Sequence, residues 1–180
     1  MKNYEFDLVL SNVSYDDETL EDKLYEVGCD DATLGFRNSI AYLDFTREAK
    51  SLKDAVVSAI IDAEKAGVIV ARVMPDNIVS ASEISRRIDR SRESIRKLIE
   101  GERGPGFFPA PVSGLNNKSL LWSWVDVSKW LFENEMIEED VLLAAVVIAG
   151  VNMALSLRGN IDLQVLQKET LSKISCNIAA

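Results

Sequence analysis

From residue 3 to residue 73 the hydrophobic pattern alternates between a two-residue and a 3.6-residue repeat, and each change has its own boundary signal. "NYEFDLVLS" sets Tyr4, Phe6, Leu8 and Leu10 on one face against Glu5 and Asp7 on the other, the pattern of a half-buried strand. "DDETLEDKLYEVG" spaces Leu20, Leu24 and Val27 along one helical face, with acids in the first turn and Gly28 at the exit. "DATLGF" and "SIAYLDF" read as two short strands with a tight turn at Arg37 and Asn38. "SLKDAVVSAIIDAEKAG" places Leu52, Val56, Ala59, Ile60 and Ala63 on one face, between the cap Ser51 and the stop Gly67. "VIVARV" is a further strand before Pro75.

The order β-α-β-β-α-β predicts an α+β fold over residues 1–78: a four-stranded antiparallel sheet with two helices on one face, the ferredoxin-like split motif. That arrangement hosts many unrelated roles, so its functional content is a dimerising or partner-binding module, or a small-molecule sensor. Catalysis is not expected. The chain has no histidine, which removes the commonest general base and metal ligand. It also lacks a nucleophile–base pair and a cofactor fingerprint, so no cofactor and no metal are expected. The adjacent Asp30 and Asp31 read better as a helix-to-strand connection than as a metal pair. The N-terminus has no basic stretch followed by a long apolar run, and Cys29 and Cys176 are far apart. Reduced thiols and a cytoplasmic location follow as the expectation.

Net charge is −9, but it is unevenly spread. Residues 1–78 carry 8 basic and 16 acidic side chains, and residues 131–180 carry 3 and 7. Residues 80–130 carry 9 basic and 6 acidic, so this is the one basic segment. A local field, not the mean charge, is what meets a phosphate backbone.

That segment opens with "SASEISRRIDRSRESIRKLIEG". "SASE" is a capping box, with Ser80 capping the backbone and Glu83 reaching back. Ala81, Ile84 and Ile88 line one face of a short helix, and the break falls at Asp89 and Arg90. Ser91 caps a second helix, Glu93 suits its positive end, Ile95, Leu98 and Ile99 form its inner face, and Gly101 stops it. Two short helices joined this way make a helix-turn-helix. With the inner face buried, Arg92, Glu93, Arg96 and Lys97 point outward. In such docking the start of the second helix enters the major groove. Arg92 and Arg96 are then placed for guanine, Glu93 for cytosine N4, and Lys97 for phosphate. The bland alternative is a solvated face in which Glu93 and Glu100 pair with Lys97 and Arg96.

The sequel "GERGPGFFPAPVSGLNNKSLLWSWVDVSKWL" supplies a Gly/Pro-rich loop, a short apolar strand, and a helix with Val127, Trp130 and Leu131 inward. Arg103 and Lys118 sit where a wing meets the backbone or minor groove. Phe107, Phe108, Trp122, Trp124 and Trp130 read as core beneath the wing rather than a stacking platform for single strands. The "GPG" at residues 104–106 lacks the following Lys-Ser/Thr of a phosphate loop. On "SASEISRRI", "SRESIRKLI", "FPAPV" and "LWSWVDVSKWL", residues 79–133 resemble the winged helix-turn-helix of the AlpA, excisionase and MerR type. The resemblance implies that the second helix reads the major groove and that the "FPAPV" stretch leads into the wing. It departs at Ser85, often alanine, and at Asp89, often glycine. Ser80, Arg90 and Ser91, at the helix starts and the turn, complete the expected DNA-contact set.

Residues 135–180 read as a C-terminal helical segment. "EEDVLLAAVVIAGVNMALSLR" is apolar nearly all round over residues 141–157, interrupted by Asn152 and Ser156. Its length is short of a membrane span and its flanks are acidic, so a helix buried on all sides is expected, in an intersubunit bundle or against the other domains. "IDLQVLQKETLSKI" repeats Leu163, Val165, Leu166, Leu171 and Ile174 as an amphipathic helix packed on it. The whole reads as a DNA-binding protein, a homodimeric transcriptional regulator of bacterial or phage type acting on double-stranded DNA. One short recognition helix reads few base pairs, and two-fold pairing adds specificity. The alternative is a protein-interaction module, such as an antitoxin-like adaptor, whose N-terminal domain binds a partner or effector.

Overall fold

A computed structural model describes the backbone of residues 1–116 and 119–178, and side chains as far as Ser172 apart from that gap. The chain is α+β. The N-terminal half runs β1 (Lys2–Ser11), α1 (Leu20–Glu26), β2 (Ala32–Arg37), β3 (Ile40–Ala49), α2 (Leu52–Lys65) and β4 (Ile69–Met74). These strands form an antiparallel sheet in the order β2-β3-β1-β4. Phe6, Leu8, Leu10, Leu43 and Phe45 share one face with Leu20 and Leu24 of α1 and with Val56, Ala59 and Ile60 of α2. Ser51 caps α2, accepting from the Asp54 N–H at 3.1 Å. The hairpin turn falls one residue later than the pattern suggests. Asn38 and Ser39 form it, with φ of 50° and 62°, and Arg37 pairs with Ile40. A two-residue hairpin needs two left-handed residues, and asparagine accepts that conformation readily.

Alternation along β3 has a consequence. Ala41, Leu43, Phe45, Arg47 and Ala49 all point into the core, so the Arg47 guanidinium is buried with them. It is fully engaged. Nε and one terminal nitrogen donate to the two oxygens of Asp31 at 2.7 and 2.9 Å. Further bonds reach Asp62 at 2.9 Å, the Ser58 hydroxyl at 3.2 Å and the Gly28 carbonyl at 2.7 Å. One side chain thus ties the α1–β2 connection and α2 to the sheet, and Asp31 belongs to this junction. Cys29 beside it is buried, and desolvation pushes its thiol up to about 11.

The C-terminal half runs β5 (Ile78–Ser80), α3 (Ala81–Arg87), α4 (Arg92–Ile99), β6 (Leu121–Ser123), α5 (Trp124–Glu133), α6 (Glu139–Leu157) and α7 (Ile161–Ile178). β5 and β6 pair antiparallel, joining the start of α3 to the start of α5. Val79, Ile84, Ile95, Leu98, Trp122, Trp124, Val127, Trp130 and Leu131 form a second core.

Helix α6 connects the two cores, with Ala145 in the second and Ile148 in the first. By length and composition it could cross a membrane. Its polar interruption nevertheless has a specific place in the fold. Asn152 accepts from the Val73 N–H at 2.7 Å and donates to the Val73 carbonyl at 2.8 Å. Glu64 accepts from the Val70 N–H at 3.2 Å, and Arg158 donates to the Val70 carbonyl at 3.0 Å. Side chains thus occupy hydrogen-bonding groups on the outer edge of β4, which would otherwise invite another strand. Replacing Asn152 with leucine should leave both Val73 groups unpaired and cost about 2 kcal/mol. Urea unfolding together with hydrogen exchange at the Val73 amide checks this; an unprotected amide in the wild type would refute it.

Two expectations for this segment need correction. Within one chain α6 is not buried on all sides: its buried residues are Ala145 and Ile148, while Leu143, Val146 and Met153 are exposed. Nor does α7 lay an apolar face on α6. Ile161, Leu163, Val165, Leu166 and Leu171 are exposed. Contact runs through polar groups instead, with the Gln164 amide donating to the Leu157 carbonyl at 2.9 Å. Two helices joined by a short turn bury an apolar stripe only if their faces meet, and here the described side chains of α7, apolar and polar alike, are exposed apart from the half-buried Gln167. The side chains of Ile174 and Cys176 lie outside the described residues.

Candidate nucleic-acid interface

The two short helices are each started by a serine. Ser80 accepts from the Glu83 N–H at 3.2 Å and Ser91 from the Ser94 N–H at 3.1 Å. These bonds use the hydroxyls as helix caps, the role their spacing predicts. Glu83 does not reach back to complete a capping box. Its carboxylate instead receives Arg86 at 2.7 Å and Arg87 at 3.0 Å, and the Arg86 bonds chiefly hold it below its ordinary pKa. Two guanidinium groups offer a stronger partner than one backbone N–H. Arg87 also lies over the Trp124 ring, 5.0 Å from its centroid, and donates to the Asp76 carbonyl at 2.8 Å. This fixes α3 against α5 and the segment before β5.

The turn between α3 and α4 is defined. Asp89 adopts φ of 49°, the Arg90 N–H donates to the Ser85 carbonyl at 2.9 Å, and the Asp89 N–H donates to Arg86 at 3.4 Å. This is a Schellman arrangement with aspartate in the left-handed position that glycine more often fills. Ser85 is buried, which accounts for a small residue there. Gly101, with φ of 72°, ends α4.

Ile95 and Leu98 are buried beneath α4, and Arg92, Glu93 and Arg96 are exposed, with Lys97 half-buried. The outward charges are not equivalent. Arg96 is surrounded by Glu93 at 2.8 Å, Glu100, and Glu102 at 3.4 Å. Lys97 lies 3.6 Å from Glu93. The hydrogen bonds from Arg96 hold Glu93 down at about 2 and raise the already high pKa of Arg96. Among the described residues, Arg90, Arg92 and Arg103 form no ion pair. The acids beside α4 are therefore gathered on Arg96 and Lys97, while three other arginines are left to solvent.

After α4 the chain forms a loop, then a narrow hairpin. The Val112 N–H donates to the Leu121 carbonyl at 2.8 Å, and Ser113 and Leu121 bridge antiparallel. Gly114, with φ of 86°, sits so close to the Ser119 carbonyl that any Cβ would collide with it. Lys118 lies outside the described residues. The three tryptophans are buried, so their faces are not open to bases. One aromatic differs from expectation. Phe108 packs edge-on against Trp122 and Trp130, but Phe107 is 98% exposed. Phe107 adopts φ of 55°, and at this bend in the backbone its ring is left in solvent while Phe108 enters the core.

A cavity of about 470 Å³ lies where the two halves meet, lined by Glu5 and Leu52 on one side, Arg87 and Trp124 on the other, and Ala145 and Ile148 of α6. The chain matches no protein-family model, no curated protein and no solved structure.

Proposed function

We propose that the protein binds double-stranded DNA sequence-specifically as a homodimer and acts as a transcriptional regulator. The carrying observation is the exposed face of α4 and its flanks, where Arg90, Arg92 and Arg103 form no ion pair among the described residues while the inner face is sealed into the second core. In this reading Arg92, on the first turn of α4, reaches base edges in the major groove. Arg90 and Arg103 contact phosphate, and Arg96 neutralises the local acids. The hairpin across Val112 and Leu121 acts as the wing, so that residues 79–134 form a winged helix-turn-helix domain. The strand order β2-β3-β1-β4, with both helices on one face, supports a ferredoxin-like domain over residues 1–78. Exposed apolar residues along α6 and α7 support self-association through residues 135–180. The cavity between the halves is the place where an effector could act on α3.

The test is enrichment of binding sites from random duplex DNA by the full-length protein, repeated with Arg92→Ala plus Arg103→Ala. A consensus that disappears in the double variant is the expected result. No consensus, with a tightly co-purifying protein and no duplex affinity at low salt, would replace this reading with the adaptor.

A further inference from the structure

We propose that Phe107 is an apolar wedge that docks against the bases of duplex DNA, beside the contacts made by α4. The inference rests on the DNA-binding reading above and adds a contact of a different chemical kind.

The most exposed large hydrophobic side chain among the described residues is Phe107. Its position is held, not loose. The Trp130 indole N–H donates to the Gly106 carbonyl at 3.1 Å, and the Trp122 indole N–H donates to the Pro109 carbonyl at 3.1 Å. Two buried rings thus grip the backbone on either side of Phe107 and Phe108. Phe108 inserts between the same two rings, with centroids 5.0 and 6.3 Å away. The loop is also bound to α4. The Arg103 N–H donates to the Lys97 carbonyl at 3.1 Å, and Gly104 packs so tightly on Leu98 that a Cβ would lie 2.8 Å from it.

Gripped in this way, Phe107 adopts φ of 55°, a left-handed conformation that bulky residues rarely take. A loop free to relax would fold the phenyl ring back onto the protein. This one spends strain to hold it in water, which marks a contact site. The surroundings select the partner. Arg103 precedes it, exposed and without an ion pair among the described residues, while Glu100 and Glu102 are engaged by Arg96. A cation of this kind, in the same loop as an exposed aromatic, suits a polyanion with an apolar interior. Phosphate gains nothing from a phenyl ring, but a base step does, since inserted apolar side chains partly unstack and kink a duplex.

The probe is the duplex enriched by the wild-type protein, carrying 2-aminopurine at successive positions. Wild type should raise the fluorescence at one step. Phe107→Ala should abolish that signal and bind about tenfold more weakly, with an unchanged salt dependence because no phosphate contact is lost. Phe107→Leu should retain most of the affinity. An unchanged thermal melt for both variants shows that the fold is intact. Phe107→Ala binding within about twofold of wild type, with the signal retained, overturns the wedge and leaves the DNA-binding reading standing. A wild-type protein that enriches no duplex overturns both. An acidic protein partner lost on Phe107→Ala while duplex binding is untouched overturns the wedge as well.

Discussion

Arg47→Ala should destabilise the protein by about 3 kcal/mol, since the half-buried Asp31 loses its cation and Asp62 keeps only Lys65. Asp31 and Asp62 would stay in the junction, at 28% and 22% side-chain exposure, with the Gly28 carbonyl also orphaned. Lysine should rescue only in part. A point charge cannot make a two-pronged bond to Asp31 while also reaching Asp62 and Gly28. Denaturant unfolding of the three proteins gives the order wild type, lysine, alanine; equal midpoints for wild type and alanine would contradict the role.

The same junction sets a pH signature. Burial alone would raise the Asp62 pKa, but bonds from Lys65 and Arg47 outweigh it and hold the carboxyl below its ordinary 3.8. A depressed carboxyl stabilises the fold above its unfolded pKa and loses that contribution as pH falls through the folded value. The wild type should therefore lose stability on acidification below about pH 4. In the alanine variant Asp62 loses the Arg47 share of what holds its carboxyl down, so less stability is there to be lost on acidification. The gap between the two proteins should shrink from pH 7 to about pH 3.

Arg96→Ala should reduce affinity for the enriched duplex on the order of 100-fold, more than Arg92→Ala at about tenfold. The ranking follows from which acids each arginine controls. Removing Arg92 deletes one contact. Removing Arg96 deletes a cation and also exposes Glu93, Glu100 and Glu102 to the phosphate backbone. Without Arg96 these carboxylates lose the bonds that hold Glu93 low, but ordinary glutamates are still ionised throughout the neutral range, so the penalty should be flat from about pH 6 to pH 8. Glu93→Gln should do the reverse, raising general duplex affinity several-fold while blunting sequence preference. Fluorescence anisotropy against enriched and scrambled duplexes measures both effects. A larger loss from Arg92→Ala than from Arg96→Ala would make the acidic cluster a bystander.

The two short helices α3 and α4 and the turn between them were legible because their signals are local. Ser80, Ser91 and Gly101 act within a turn of themselves, and Ile84, Ile95 and Leu98 are sorted inward by helical spacing. Asp89 could be read as a left-handed residue for the same reason. Phe107 was misread because composition counts aromatics, whereas orientation depends on which neighbour the core has already taken. Arg47 carried a usable signal that passed unnoticed: it continues the inward parity of Ala41, Leu43 and Phe45. An arginine in that register must either leave the sheet face or find several acceptors.

The order of strands and helices, their caps and their buried faces follow from neighbours two to four positions apart, and local repeats encode them directly. Packing of the folded chain decided the rest. β5 and β6 are too short to show a period, and exist because each finds the other across the second core. Asn152 looked like an interruption in an apolar helix, yet it closes the edge of β4 from 79 residues away. Glu102 joins Arg96 across the end of α4, where no helical repeat connects them. Contacts between such distant positions leave no periodic trace, because each depends on how whole elements dock rather than on the spacing within one.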